Sequence, residues 1–381
     1  MRKDRSDALL ERLLAACERG APESVASSEV DVARYTSPEQ LEAERRVLFR
    51  TMPLAVTRAS DVAEPGSFVT HDAGGVPILV TRDREGRVRA MLNVCRHRGT
   101  RLVDQERGTA KAFVCRYHAW TYDLAGRLGH VPGEACFPNL SREGSGLVEL
   151  PAEVRHGFVW VLPTPGAKLD VGAWLGDFDD DLAAFRLDEH VVFARSRSVR
   201  KANWKLVMEA FLEGYHVKSL HQRTLARFFR DDVIVDTSGP HVRTIGARKT
   251  VAELRDVPRA RWDLRAHTTP FYNLFPNAVL VLHPETISHL ALYPRGTGEV
   301  EFVHTMLAPT PERSDAWQRT WELIDEQVFA REDLAICESI QSVMGSGANE
   351  KFQLGALEAS IRFFHDRIDE ALTRSARDNR A

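Results

Sequence analysis

Two short segments each offer one thiolate and one imidazole: Cys95-Arg96-His97 and, after seventeen intervening residues, Cys115-Arg116-Tyr117-His118. Each follows a strand candidate, Asn93-Val94 before Cys95 and Phe113-Val114 before Cys115. Two loops lying side by side can therefore present four ligands to a common point. Two thiolates with two imidazoles suit zinc or an iron-sulfur cluster far better than magnesium or calcium. Zinc fingers usually take both cysteines as one pair and both histidines as another. One of each per loop suits instead a [2Fe-2S] cluster, with Cys95 and Cys115 on one iron and His97 and His118 on the other. Such a centre has a raised reduction potential and passes electrons singly.

A second constellation lies in NWKLVMEAFLEGYHVKSLH, residues 203–221. Glu209, Glu213 and His216 are spaced i, i+4 and i+7, which an α-helix over about 203–216 brings to one face. Trp204, Leu206, Val207, Phe211 and Leu212 surround them with apolar side chains. Carboxylates alone at this spacing could form a solvated face, but two acids and an imidazole among such neighbours need a physical reason to be buried. His221 follows His216 by five positions, so the helix must bend or end between them if both imidazoles are to reach one ion. Two histidines and one acid on one side of Fe(II) leave positions open for dioxygen and substrate, and that acid must come from elsewhere in the chain.

CRHRG (95–99) and CRYHAW (115–120) resemble the two cluster-binding boxes of the Rieske-type non-haem iron oxygenases, the aromatic ring-hydroxylating oxygenase alpha-subunit family. Residues 203–221 resemble that family's mononuclear-iron motif, and the resemblance runs from about residue 40 to 370. It implies an α+β chain, with an N-terminal all-β Rieske domain and a C-terminal helix-grip catalytic domain of antiparallel sheet and long helices. It implies His216 and His221 as ligands of a mononuclear Fe(II), with an Asp on the long C-terminal helix as the third. Arg331-Glu332-Asp333 is the matching place, with Asp333 chosen and Glu332 the fallback. Glu213 takes the place of the acid that links the cluster histidine of one subunit to the iron histidine of the next, which calls for a homotrimer. Many members have Asp there, and Glu resembles the oxygenases of quaternary ammonium compounds such as carnitine. Gly99 is expected to let its loop turn, and Trp120 to pack below the cluster.

The function so implied is that of a terminal oxygenase. An NAD(P)H-dependent reductase or a ferredoxin would supply electrons through the cluster, and the iron would activate dioxygen to hydroxylate or dealkylate a small organic substrate. An aromatic acid and a quaternary ammonium compound are the two substrate classes. The alternatives are a Rieske electron-transfer protein using the cluster alone, and a zinc-stabilised binding module. The histidine-rich segment argues against both.

These residues need elements to hold them. Ser37-Pro38-Glu39-Gln40 has the form of a helix start, with a helix through about Phe49. Short β-branched runs broken by turns fill 66–162, among them 78–82 and 88–94 around an Asp83–Gly86 turn. Beyond Thr164-Pro165-Gly166, apolar runs at 278–283, 287–293 and 300–307 suggest an antiparallel sheet. Helical patterns follow at about 315–344, with Trp317, Trp321, Ile324, Val328 and Leu334 near one face, and at about 354–372. The domains expected are a helical segment over 1–40 packing on the catalytic domain, the Rieske domain over 41–165 and the catalytic domain over 166–381.

Composition bounds the rest. With 54 acidic against 51 basic residues and no long block of one sign, no footprint for nucleic acid or an anionic membrane is visible. The first twenty residues place Asp4, Asp7 and Glu11 where a signal peptide needs an apolar core, and read as an amphipathic helix. Five cysteines are too few for a disulfide framework and favour a reducing cytoplasm. Cys17, Cys136 and Cys337 are read as packing residues, and the remaining histidines as surface or satisfied core positions.

Overall fold

The computed structural model describes residues 1–20 and 27–378. Residues 21–26, inside the expected N-terminal segment, and 379–381, at the end of the expected catalytic domain, lie outside the described residues. The chain forms two compact units: Arg45–Trp174, and Met1–Glu44 together with Leu175–Ala381. These borders fall after Glu44 and Trp174, where the sequence suggested 40 and 165.

In the smaller unit the strands pair antiparallel in one five-stranded and two three-stranded sheets. Asp83 accepts the backbone N–H groups of Glu85 (3.0 Å) and Arg87 (2.8 Å), closing the turn between strands Val76–Arg82 and Val88–Leu92. Phe68, Leu79, Met91 and Tyr122 pack in one core with Cys95, Cys115 and Trp120, so the two ligand-bearing loops stand on a hydrophobic base. Cys136 corrects the expectation of a packing role: it is exposed, whereas Cys337 is buried and Cys17 half-buried.

The larger unit is built on a seven-stranded antiparallel sheet. Its spatial order is Val191–Arg200, Glu299–Ala308, Ile287–Gly296, Ala278–Leu282, Thr268–Leu274, His241–Arg248 and Phe229–Ser238. The three apolar runs are its second, third and fourth strands. The edge strand Val191–Arg200 was not legible, because its outer half alternates Arg and Ser, and charged edges disguise a strand. The helix Lys3–Arg19 buries Leu9, Leu10, Leu13 and Ala16 against Ile234, Ile245, Ala247 and Leu254 near the opposite edge.

Three helix expectations change. The pattern at 315–344 is α-helical only at Asp315–Trp321 and Leu334–Val343; Glu322–Asp333 between them is a π-helix, whose wider winding buries Ile324, Val328, Phe329 and Asp333. Leu354 ends a strand, Lys351–Leu354, that pairs with Ser28–Asp31, and the last helix spans Ala359–Asp378. The helix expected over 203–216 stops at Glu209.

That short helix, Trp204–Glu209, is buried along its whole length. Asn203 caps it, accepting the Lys205 N–H at 2.9 Å. Lys205 Nζ lies 2.7 and 2.8 Å from the two oxygens of Glu44, which also accept Trp204 Nε1 (2.8 Å) and Gln40 Nε2 (3.0 Å). Burial lowers the pKa of Lys205 against the opposing pull of Glu44. Removing one partner of a buried pair leaves an uncompensated charge. Glu44→Ala is therefore expected to cost about 3–5 kcal/mol of stability, read by denaturant unfolding; a loss no larger than that of an exposed surface pair would contradict this role.

Candidate functional site

Both loops of the smaller unit fold alike. In the first, Cys95 N–H reaches Thr100 O (2.8 Å) and Gly99 N–H returns to Cys95 O (3.0 Å); in the second, Cys115 N–H reaches Trp120 O (2.8 Å) and Ala119 N–H returns to Cys115 O (2.9 Å). The residue four after each cysteine takes positive φ, 76° at Gly99 and 57° at Ala119. Glycine meets this freely, whereas Ala119 adopts a conformation L-residues rarely take, and nothing in its type signalled it.

The cysteines are buried, while His97 is half-buried and His118 exposed. Their rings lie 4.6 Å apart, and His97 stacks on Trp120 at 4.8 Å. Burial and then the neighbouring His118 lower the pKa of His97, favouring the neutral form that binds metals. Tyr122 Oη accepts the Arg96 backbone N–H (3.0 Å) and lies 3.4 Å from Cys95 Sγ. A single tetrahedral zinc would draw four donors to within about 4 Å of one another. Among the described residues, the group of three or more donors that closes to within 4.8 Å is His216, His221 and Asp333, and no three of the loop residues do so. The wider quartet, thiols inside and imidazoles outside, fits a two-iron group better than one ion.

In the larger unit, the early end of the helix at Glu209 separates residues expected on one face. Glu209 turns inward, accepting Tyr35 Oη (2.8 Å) and His365 Nε2 (2.8 Å), while Arg34 Nε donates to His365 Nδ1 at 3.1 Å. Tyr35 and His365 are too distant in sequence for spacing to have revealed this network. Glu213 caps the next turn, accepting the backbone N–H groups of Tyr215 and His216 and the His216 Nδ1. A single helical turn, Val217–Leu220, stands between His216 and His221, which brings their rings to 5.1 Å.

Asp333 arrives from the π-helix. Its Oδ1 lies 3.1 Å from His221 Nε2 and 3.6 Å from His216 Nε2, and it is buried without a directed hydrogen bond. Glu332 points elsewhere: its Oε2 holds His221 Nδ1 at 2.6 Å and accepts Thr224 Oγ1 at 2.7 Å. Each imidazole is thus held by a carboxylate at Nδ1, leaving Nε2 directed at Asp333. Burial opposes charging of His221, but Asp333 and Glu332 outweigh it and raise its pKa. That preference for positive charge is what a bound cation would satisfy. An orphaned buried carboxylate oxygen beside two oriented Nε2 atoms fits a divalent metal with two histidines and one carboxylate.

A cavity of about 290 Å³ opens on this trio, lined by Phe211, Phe271, Phe329, Arg248 and His283 among others. By residue type, Phe271, Tyr272, Phe275 and Leu282 could serve a pocket or the core alike, and of these Phe271 lines the cavity. The other three are not among its lining residues. Strand alternation sends Tyr272 to the other face, against Arg243 and Asp181, while Phe275 packs on Phe364 and Leu282 is core. His283, read as a surface or satisfied core position, is buried and bonded to Ser288 Oγ, and it also lines the cavity.

Residues 52–142 match the Rieske [2Fe-2S] domain family, and residues 187–374 match the ring hydroxylating alpha subunit catalytic domain family. The chain is 34% identical over 230 residues to the glycine betaine monooxygenase oxygenase subunit of Chromohalobacter salexigens, covering 59% of this chain and 51% of that protein. It is 33% identical over 196 residues to the anthranilate 1,2-dioxygenase large subunit of Acinetobacter baylyi, covering 49% and 41%. The matched region thus spans about half the length of these curated relatives. A crystal structure of a quaternary ammonium Rieske monooxygenase with L-carnitine superposes with a TM-score of 0.78 at 22% identity, covering 91% of this chain and 95% of that one. No helix among the described residues is long and apolar enough to cross a membrane.

Glu332, the fallback ligand, holds His221 Nδ1 and Thr224 Oγ1 in place of facing the two Nε2 atoms. Glu332→Gln is expected to weaken Fe(II) affinity about ten- to hundredfold, measured by competition with a chromogenic chelator. Unchanged affinity would mean that the His221 Nδ1 contact does not orient the ring.

Proposed function

We propose, for a chain that belongs to the Rieske-type ring-hydroxylating oxygenase alpha-subunit family, the role of a terminal oxygenase that hydroxylates or dealkylates a small organic substrate. The family carries a Rieske [2Fe-2S] cluster and a mononuclear iron, and this chain carries both domains. Cys95, His97, Cys115 and His118 are assigned to the cluster, and His216, His221 and Asp333 to the iron. The convergence of two Nε2 atoms on the unpartnered Asp333 Oδ1 carries the assignment. When bound, the cluster supplies single electrons and the iron supplies dioxygen activation.

The remaining work belongs to the chain's own side chains. Glu213 and Glu332 hold the Nδ1 protons of the two histidines, fixing their tautomers and aiming Nε2 at one point. Phe211, Phe271 and Phe329 keep water from the cavity and give an apolar body of substrate its place. His216, His221 and Asp333 all line this cavity, so a metal held by them would be within reach of a substrate there.

Glu213 is assigned the link between His216 and the cluster histidine of a neighbouring subunit, in a head-to-tail homotrimer. Its carboxylate bonds His216 and lines the cavity, which supports that assignment. The electron source is a reductase dependent on NAD(P)H, or a ferredoxin, and the compartment is the cytoplasm, in keeping with five sparse cysteines. Aromatic acids and quaternary ammonium compounds are the substrate classes, since relatives named for each match the chain.

Asp333→Ala tests the central assignment. Iron should fall from about three to about two per chain, with acid-labile sulfide and the cluster's visible absorbance unchanged. Full iron occupancy in that variant would reassign the ligand, and zinc in place of iron and sulfide in the loops of the parent protein would overturn the function. Glu213→Gln, assayed at saturating Fe(II) so that the mononuclear site is filled, should keep the cluster yet lower substrate-dependent oxygen uptake about a hundredfold; near-normal uptake would remove Glu213 from the electron path.

A further inference from the structure

The cavity beside the three proposed ligands has a polar end. Thr244, Gly246 and Arg248 alternate along one strand, and all three line the cavity, as period-two alternation requires. Arg248 Nε and Nη2 lie 3.2 and 3.1 Å from Thr269 Oγ1, and its guanidinium sits over Phe229 at 5.5 Å. Among the described residues no carboxylate pairs with Arg248. The other arginine lining the cavity, Arg230, is bonded to Asp232 at 2.7 Å. Burial lowers the pKa of Arg248 without approaching neutrality, so the cavity contains a cation lacking a protein counter-ion.

His283 is the second polar group, and a chain of hydrogen bonds fixes which of its nitrogens carries the proton. Asp325 accepts Ser196 Oγ (2.6 Å) and His304 Nδ1 (2.7 Å). His304 is fully buried, and burial lowers its pKa against the pull of Asp325, so its one proton sits on Nδ1. Its Nε2 is then a bare acceptor and takes the Ser288 hydroxyl proton at 2.8 Å. Having spent that proton, Ser288 Oγ can only accept from His283 Nε2, 2.9 Å away. Burial first, then His304, Arg248 and Arg265, push the pKa of His283 down to about 3. A neutral ring with its proton on Nε2 presents Nδ1 as an acceptor, and no described residue bonds that atom. Arg265 steadies the turn from below, donating to His283 O at 2.6 and 3.1 Å and to Thr286 O at 3.2 Å.

We propose that this cavity takes a small organic anion with a neighbouring hydrogen-bond donor, its carboxylate on the Arg248 guanidinium and its O–H or N–H on His283 Nδ1. The assignment rests on the oxygenase function only in taking this cavity as the substrate site. A tetraalkylammonium group fits the polar end poorly: it offers no N–H to His283 and meets an unpaired cation. The Phe228 and Phe229 faces, which could cradle it, lie against Arg227 (4.7 Å) and Arg248 (5.5 Å).

Calorimetric titration of the iron-loaded protein tests this with four probes: benzoate, benzamide, 2-hydroxybenzoate and choline. Benzoate should bind about ten- to hundredfold more tightly than benzamide, 2-hydroxybenzoate more tightly still, and choline without detectable heat. Arg248→Gln should remove the preference for benzoate over benzamide, Arg248→Lys should keep part of it, and His283→Phe should remove only the advantage of the hydroxyl. Equal binding of benzoate and benzamide, tighter binding of choline, no binding by any probe, or equal weakening of acid and amide by Arg248→Gln would each overturn the proposal. Iron content of the same samples separates the two questions. A carboxylate preference without mononuclear iron would fail the oxygenase and leave the anion site standing.

Discussion

A neutral imidazole has two nitrogens and one proton, and its use as a ligand is decided by where that proton is held. In the larger unit both candidate histidines are held at Nδ1 by carboxylates, His216 by Glu213 and His221 by Glu332. With Nδ1 committed, both Nε2 atoms turn toward Asp333 Oδ1, a buried oxygen otherwise left without a directed hydrogen bond. Setting a buried carboxylate, Asp333, beside two half-buried ones, Glu213 and Glu332, is costly unless positive charge accompanies them. The local fold is arranged around supplying that charge.

The same rule of one proton per ring recurs on the cavity wall with the opposite outcome. Asp325, His304 and Ser288 form a directional series that leaves His283 with an acceptor, while an arginine without a counter-ion stands in the same cavity. One face of the cavity therefore awaits a cation and the other an anion. A substrate that met both would be oriented before any chemistry began.

Much of this was legible in the residues. Paired Cys and His in each loop marked the smaller unit because soft ligands at matched spacing have few other uses, and the apolar runs at 278–307 marked the second to fourth strands of the sheet. The interval of five between His216 and His221 required a break, and the structure supplies one turn between two loops. Less legible was whatever depends on partners far away in sequence. Glu209 shares a helical spacing with Glu213 and His216, yet Tyr35 and His365 draw it to a separate network. Arg248 and His283 carried no motif, since their roles come from strand alternation and from a hydrogen-bond series spanning four elements. Ala119 hid a backbone conformation that Gly99 declared by its type.

The π-helical winding of Glu322–Asp333 sits between two ordinary α-helical stretches. It sets the phase at which neighbouring carboxylates face different atoms, Glu332 one side of the His221 ring and Asp333 the other. Tightening that segment to α-helical pitch would rotate Asp325, which anchors His304, relative to Asp333. Metal trio and cavity wall thus share one mechanical gauge, and the number of residues in the segment matters to the site as much as their identities do.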